Sequence, residues 1–210
     1  MEKPLANSTN TIKQKKDTKV NTKIVALSIA HYPNRAGASY KGVNEHAVST
    51  VWISTLKRIL ESYGVIVIQT PVGGLRKKVK FINDHDSDVA VEIHFNGSSN
   101  PKVSGTETLY CPGSVKGKKF AEIVHSNYVK EMHCRDRGIK EGWYRMDRPY
   151  IEDYPGDIDG DEKKDYFLQY TSCPALIPEP EFIAQQDNIN DNMESACIGI
   201  ALGIIEFLET

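Results

Sequence analysis

From residue 23 onward, apolar positions fall into two alternating groupings, short continuous runs and helical stripes. Residues 23–30 (KIVALSIA) form a strand-like run that His31 ends. Between residues 48 and 63, Val48, Val51, Trp52, Leu56, Ile59, Leu60 and Tyr63 make a helical stripe, and Gly64 stands as its C-cap. Residues 65–69 are β-branched and predict a strand, 74–83 a short polar helix, and 88–94 the next strand. A strand is predicted at 106–110, and a helix at 116–133 with Phe120, Val124, Tyr128 and Met132 on one side. Residues 174–178 predict a short buried strand, and 193–208 a closing helix with Met193, Cys197, Ile200, Ala201, Ile204 and Leu208 inward. Strands alternating with helices predict an α/β fold, a mainly parallel twisted sheet flanked by helices in an α/β/α sandwich. Ligands of such sheets bind beyond the carboxyl ends of the strands, so residues directly after strands are the places to look for chemistry.

Composition changes this picture at two stretches. The first 23 residues hold six Lys against Glu2 and Asp17, and no aromatic residue. Such a segment buries too little to offset its ordering, so residues 1–22 are expected to be a flexible basic tail or linker. That stretch carries +4 of a chain total of −2, which leaves −6 on the remainder and argues against a body built for nucleic acid. Residues 143–165, rich in Tyr, Asp, Pro and Gly, predict a surface insertion within a single domain over 23–210. Inside it, the acidic run from Asp157 to Asp165 resembles the start of a calcium loop. It lacks Gly at the sixth position and has Leu168 at the twelfth, so a solvated acidic turn is expected. No apolar run is long enough to span a bilayer, and the N-terminus shows no apolar signal-peptide core. None of Cys111, Cys134, Cys173 and Cys197 forms a C-x-x-C pair, so no thiolate zinc site is signalled; Cys197 is expected in the core and the others as free thiols.

Three predicted strand ends present His31, His94 and the pair Glu179 and Glu181, and Glu45 sits just before the first long helix. Two imidazoles and one carboxylate are a common zinc set that leaves a fourth position for water. A carboxylate outside the ligand set then serves as general base. Each residue alone has a plainer explanation: a packed histidine, a carboxylate favouring a helix N-terminus, a solvated loop. Their shared placement at strand ends is what favours a site. Among the other histidines, His46 is expected on another face, His85 in a polar turn, and His125 and His133 on a helix without a third ligand.

In His31, in Glu45 of Asn-Glu-His, in Glu92-Ile-His94-Phe-Asn96 and in Pro174-Ala-Leu-Ile-Pro-Glu179-Pro-Glu-Phe182, the chain resembles the zinc-dependent N-acetylmuramoyl-L-alanine amidases of the type 3 class. The family pattern has a strand ending in a ligand His, a ligand Glu opening the first helix, an "S-I-H-x-N" stretch with a second ligand His, and a "V-E-x-G-F" stretch with the catalytic Glu. Gly105-Thr-Glu-Thr-Leu-Tyr110 and Asp136-Arg-Gly-Ile-Lys140 match further family stretches. The resemblance covers about residues 23–208. Two departures stand out: the family's Gly-rich "D-P-G-H-G-G" is Ser28-Ile-Ala-His31-Tyr-Pro here, and its Gly before Phe182 is Glu181.

The resemblance implies a Zn2+ ion on His31, Glu45 and His94, with Glu179, three residues before Phe182, as the general base. It implies hydrolysis of the amide between the lactyl group of N-acetylmuramic acid and L-alanine in peptidoglycan. The place of action is then the bacterial cell wall, and the divergence fits a phage or specialised lysin. Asn96, Glu181 and Trp143 are the candidate substrate contacts; Trp143, with Tyr144 and Tyr150, either lines a groove or packs the insertion onto the body. Another zinc amidohydrolase or peptidase on the same scaffold, or a non-catalytic wall-binding module, are the alternatives.

Overall fold

The computed structural model describes residues 23–142 and 165–210. The expected basic tail, the body of the expected insertion, the acidic run before Asp165 and Trp143 lie outside the described residues. The elements in chain order are β1 (Ile24–Ile29), β2 (Ser39–Tyr40), β3 (Val43–Asn44), α1 (Glu45–Ser62), β4 (Ile66–Gln69), α2 (Leu75–Asp84), β5 (Val89–Ile93), β6 (Thr106–Tyr110) and α3 (Val115–Tyr128). A 3-10 turn at Val129–Met132 leads to β7 (Asp136–Glu141), α4 (Tyr166–Tyr170), β8 (Ala175–Glu179), α5 (Gln186–Asp191) and α6 (Met193–Leu208).

Six strands form one sheet in the order β4-β1-β5-β8-β6-β7. The pairs β4–β1, β1–β5 and β5–β8 are parallel; β6 runs antiparallel to β8, and β7 parallel to β6. The expected α/β fold with a mainly parallel sheet is therefore present, with a reversal at the β8–β6 step. The central strands read as continuous apolar runs because helices cover both faces. Alternation sends Val25, Leu27, Ile29, Val89, Val91 and Ile93 into the larger core with α1, α3 and α6. Ala26, Ala90 and Ala175 face the opposite layer, where they meet Val79 and Ile82 of α2 and Phe167 and Leu168 of α4. These three alanines are direct register neighbours across β1, β5 and β8, so small side chains form a row beneath α2.

The long helix starts earlier than its apolar stripe suggests. Asn44 caps it by accepting a hydrogen bond from the Ala47 N–H at 2.9 Å, which makes Glu45 the first helical residue. Gly64 follows the last turn with φ 80°, the left-handed geometry that ends many helices. The strand β7 has no counterpart among the predicted elements, because DRGIKE carries no apolar run; it is an outer strand whose residues are at most partly buried. The four cysteines are free thiols, and Cys197 is buried.

Trp52 of α1 is buried, and its ring meets Phe95 edge-on with centroids 5.4 Å apart. The contact braces the residue that follows His94. Trp52→Ala is expected to lower unfolding free energy by about 3–5 kcal/mol, the usual cost of emptying a large aromatic site. Urea denaturation measures this, and a loss near zero would show that α1 is held to the sheet by other contacts.

Candidate metal centre

The strands β1, β5 and β8 are consecutive in the sheet and parallel, so their carboxyl ends line one edge. His31 lies two residues beyond β1, with φ 58°. That left-handed turn is one that histidine enters more readily than most side chains. His94 directly follows β5, and its N–H donates to the Pro178 carbonyl at 2.9 Å, which extends the β5–β8 ladder and brings Glu179 beside it. Ser49 of α1 ties the first two ends together: its hydroxyl donates to the Ile93 carbonyl at 2.7 Å and accepts from the Ala30 N–H at 2.9 Å.

Glu45 stands between the two histidines. One carboxylate oxygen, Oε2, is 2.9 Å from His31 Nε2; the other, Oε1, is 2.9 Å from His94 Nδ1. The imidazole rings meet edge-to-face with centroids 5.0 Å apart. One ligand atom from each of His31, Glu45 and His94 lies within 4.8 Å of the others, a grouping fit to hold a metal ion. The donor set suits zinc: borderline imidazole nitrogens with one carboxylate. Glu45 is almost fully buried and also accepts the backbone N–H of Ala38 at 2.9 Å and of Phe95 at 3.0 Å. Burial alone would raise its pKa, but the hydrogen bonds and charge of His31 and His94 outweigh burial and hold the carboxyl far below its usual range. Burial likewise disfavours charge on His94, while Glu45 and Glu92 on its two sides raise its pKa well above the usual histidine value. Gly37, with φ 76°, presses against this cluster; a Cβ there would collide with the Glu45 carboxylate and the His31 ring.

Glu179 is partly buried at the end of β8, opposite Glu107 of β6 in the antiparallel register. Burial, reinforced by the charges of Glu45 and Glu107 and opposed by His94 and Lys140, pushes its pKa up to about 8. Glu107 is different. Its carboxylate takes Arg137 Nε at 2.5 Å and Lys140 Nζ, and these hydrogen bonds overcome burial to lower its pKa. The Asp136-Arg-Gly-Ile-Lys140 stretch thus neutralises the carboxylate facing Glu179.

The other expected contacts divide. Asn96 lies beside Glu107, and its Nδ2 is the buried side-chain polar atom among the described residues that lacks a hydrogen bond of good geometry. Glu181 is fully buried and does not face a cleft. Its oxygens accept from Ser104 Oγ at 2.8 Å, Gly105 N–H at 2.7 Å, Phe182 N–H at 2.8 Å and Asn188 Nδ2 at 2.8 Å, so it clamps the loop after β8. His46 turns away to the Ala30 carbonyl, and His85 to the Phe81 carbonyl. His125 sits between Thr108 and Asp136 at 2.9 Å each, a Thr-His-Asp line whose threonine has no exposed surface and also meets the Tyr128 hydroxyl.

Residue-by-residue reading missed Gly37 and a buried group behind His94. Glu92 Oε1 is 2.8 Å from His94 Nε2, and Glu92 Oε2 is 2.9 Å from Lys78 Nζ and accepts from Ser28 Oγ. Burial raises the Glu92 pKa, but the Lys78 charge and the hydrogen bonds from His94 and Ser28 outweigh it and hold the group well below its ordinary value. A Glu in an otherwise apolar strand and a Lys on the inner side of a polar helix are the available signals; only the fold brings them together.

Residues 25–206 match the N-acetylmuramoyl-L-alanine amidase family. The fold is shared with the catalytic domain of CwlV, an N-acetylmuramoyl-L-alanine amidase of Bacillus (Paenibacillus) polymyxa var. colistinus, at 22% identity and a TM-score of 0.75, over 90% of this chain and 99% of that one. An N-acetylmuramoyl-L-alanine amidase of Clostridium difficile 630 is similar at 23% identity and a TM-score of 0.75, over 90% and 98% of the two chains. The catalytic domain of the CD27L endolysin, which targets Clostridia difficile, is similar at 20% identity and a TM-score of 0.64, over 89% and 97%. No curated protein sequence matches the chain. The site and fold are those of a hydrolase with a metal-competent His-Glu-His cluster. The chain belongs to the N-acetylmuramoyl-L-alanine amidase family, enzymes of peptidoglycan.

A raised carboxyl pKa has a stability signature. Folded Glu179 holds its proton up to about pH 8 while the unfolded group releases it near 4.5, so the folded state binds more protons in that window and stability falls as pH rises through it. In zinc-free protein, Glu179→Gln is therefore expected to be stabilising, with a gain that grows from pH 4.5 to 8 and reaches roughly 2–4 kcal/mol after allowance for partial exposure. Urea denaturation across this range checks it; a gain that shrinks as pH rises contradicts the assignment.

Proposed function

We propose that the chain holds one Zn2+ through His31, Glu45 and His94 and hydrolyses the amide between N-acetylmuramic acid and L-alanine, with Glu179 as general base. The convergence of His31, Glu45 and His94, with one ligand atom of each within 4.8 Å of the others, carries this reading. Zinc bound there supplies Lewis acidity toward the scissile carbonyl and acidifies water. Glu45, made acceptor-only by its burial among donors, and the two imidazoles fix where that chemistry occurs. Glu179, beside His94 at the next strand end, takes the proton from the attacking water and delivers it to the departing nitrogen of L-alanine. Without a metal the buried carboxyl holds its proton to about pH 8; a cation bound beside it would lower that pKa toward neutrality, where a carboxyl can both take and give a proton. The water's oxygen forms the new bond to the lactyl carbonyl carbon, and the C–N bond breaks.

Asn96 is the candidate substrate contact on the same edge, its buried amide beside Glu107, and Glu181 shapes the loop that carries Glu179. The substrate is peptidoglycan and the place of action the bacterial cell wall.

Purified peptidoglycan treated with the zinc-loaded protein should release free L-alanine amino termini without new reducing ends. New reducing ends would mark glycan cleavage, and loss of cross-links without those termini an endopeptidase; either overturns the reading. His94→Ala should lose most of its zinc by elemental analysis, and full occupancy in that variant would remove His94 from the ligand set.

Glu179→Gln should keep fold and zinc and lose at least about a hundredfold in rate, the low end for removing a general base. A rate near wild type places the base elsewhere.

A further inference from the structure

Glu92 is a buried carboxylate to which the reaction as proposed gives no task. Strand alternation points it to the α2 side of β5, two positions on from Ala90 in the alanine row. There two other elements hold it, and a third residue braces one of the contacts. Lys78 of α2 reaches it at 2.9 Å and also donates to the Ile29 carbonyl; Ser28 of β1 donates to it; and Thr70, just after β4, donates to the Ser28 hydroxyl at 3.1 Å. All four side chains are buried. The free Glu92 oxygen, Oε1, lies 2.8 Å from His94 Nε2, on the opposite side of the ring from Glu45.

We propose that Glu92 is a positioning residue for the metal centre, whose carboxylate, fixed by Lys78 and Ser28, holds a hydrogen on His94 Nε2 and thereby leaves Nδ1, on the His31 and Glu45 side, as the nitrogen an ion would take. This rests on His94 being a metal ligand, as proposed above. A carboxylate only accepts, and both ring nitrogens face one, Nε2 toward Glu92 at 2.8 Å and Nδ1 toward Glu45 at 2.9 Å, so without an ion the ring carries a hydrogen on each. An ion held by Glu45 would replace the Nδ1 hydrogen, and the ring, then with one N–H, would keep it on Nε2 against Glu92. A carboxylate behind a ligand histidine fixes tautomer and ring orientation together.

Lys78 explains why Glu92 acts by orientation and not by adding charge. The two form a net-neutral pair, so little net charge is added to the site. A buried Lys–Glu pair is also a poor choice for stability alone, since apolar residues of similar volume fill such a space at least as well. The stretch departs from the S-I-H-x-N pattern at this one position, where Glu92 reaches the ring. With Glu92 removed, the ring is free to turn about its Cβ–Cγ bond and the proton to exchange between nitrogens.

The test uses zinc-loaded protein and pairs of substitutions that avoid a lone buried charge. Lys78→Met with Glu92→Leu removes the acceptor, while Lys78→Met with Glu92→Gln keeps an amide oxygen in its place. Chelator competition should show zinc binding weakened roughly 10–100-fold in the Leu pair and largely recovered in the Gln pair, the range seen when a partner of a ligand histidine is lost. Nitrogen–proton correlation spectra of wild type should place the His94 proton on Nε2, in slow exchange with water, and the Leu pair should exchange it rapidly. Zinc affinity in the Leu pair equal to wild type overturns the proposal. So does a wild-type spectrum with the proton on Nδ1, a measurement that requires no variant to fold. Full zinc occupancy in His94→Ala would instead defeat the ligand reading on which the proposal stands.

Discussion

The need to satisfy one buried carboxylate organises the functional edge of this molecule. Glu45 is taken almost wholly out of water, and an ion so placed costs several kcal/mol unless donors surround it. Four nitrogen groups from two segments meet it: the Ala38 and Phe95 N–H groups and the rings of His31 and His94. Each meeting fixes a piece of backbone. The segment after β1 must fold back to bring Ala38 in, which requires the left-handed turns at His31 and Gly37. The end of β5 must present Phe95 N–H and His94 to the same carboxylate, and Trp52 and Ser49 of α1 hold it there.

A second balance sets the character of Glu179. Two carboxylates opposite one another in an antiparallel pair repel. Here that repulsion adds to burial, the larger effect at Glu179, while Arg137 and Lys140 hydrogen-bond to Glu107. The other member keeps an elevated proton affinity beside the histidines. The same chemical group thus has two behaviours a strand apart: burial lifts the proton affinity of Glu179, while the cationic side chains of β7 hold that of Glu107 down.

Much of this was visible in the chain itself. The apolar runs marked β1, β5 and β8, and each was followed or ended by a residue of unusual chemistry, so His31, His94 and Glu179 stood out by position. Patterning failed where pairing, not local preference, decides structure. The strand β7 has no apolar period because it is outermost and half-solvated, and the reversal at β6 follows from connectivity that no local run encodes. The Glu181 carboxylate looked like a cleft residue, yet its partners Ser104, Gly105 and Asn188 are dispersed along the chain. The Lys78–Glu92 pair joins a helix to a strand in the interior, and nothing in either local stretch announces the other.

The outermost position of β7 also bears on how copies of the protein meet. Among the described residues no strand pairs with the outer side of β7, and such an edge invites another strand to add to it. Along β7, Asp136, Arg137, Lys140 and Glu141 supply four charged side chains in six residues, at most partly buried. An incoming strand would have to strip water from these charges, and Gly138, at φ 76°, departs from the extended backbone that such an addition requires. The segment that quiets Glu107 therefore also guards the sheet against stacking edge to edge at high local concentration on an insoluble substrate.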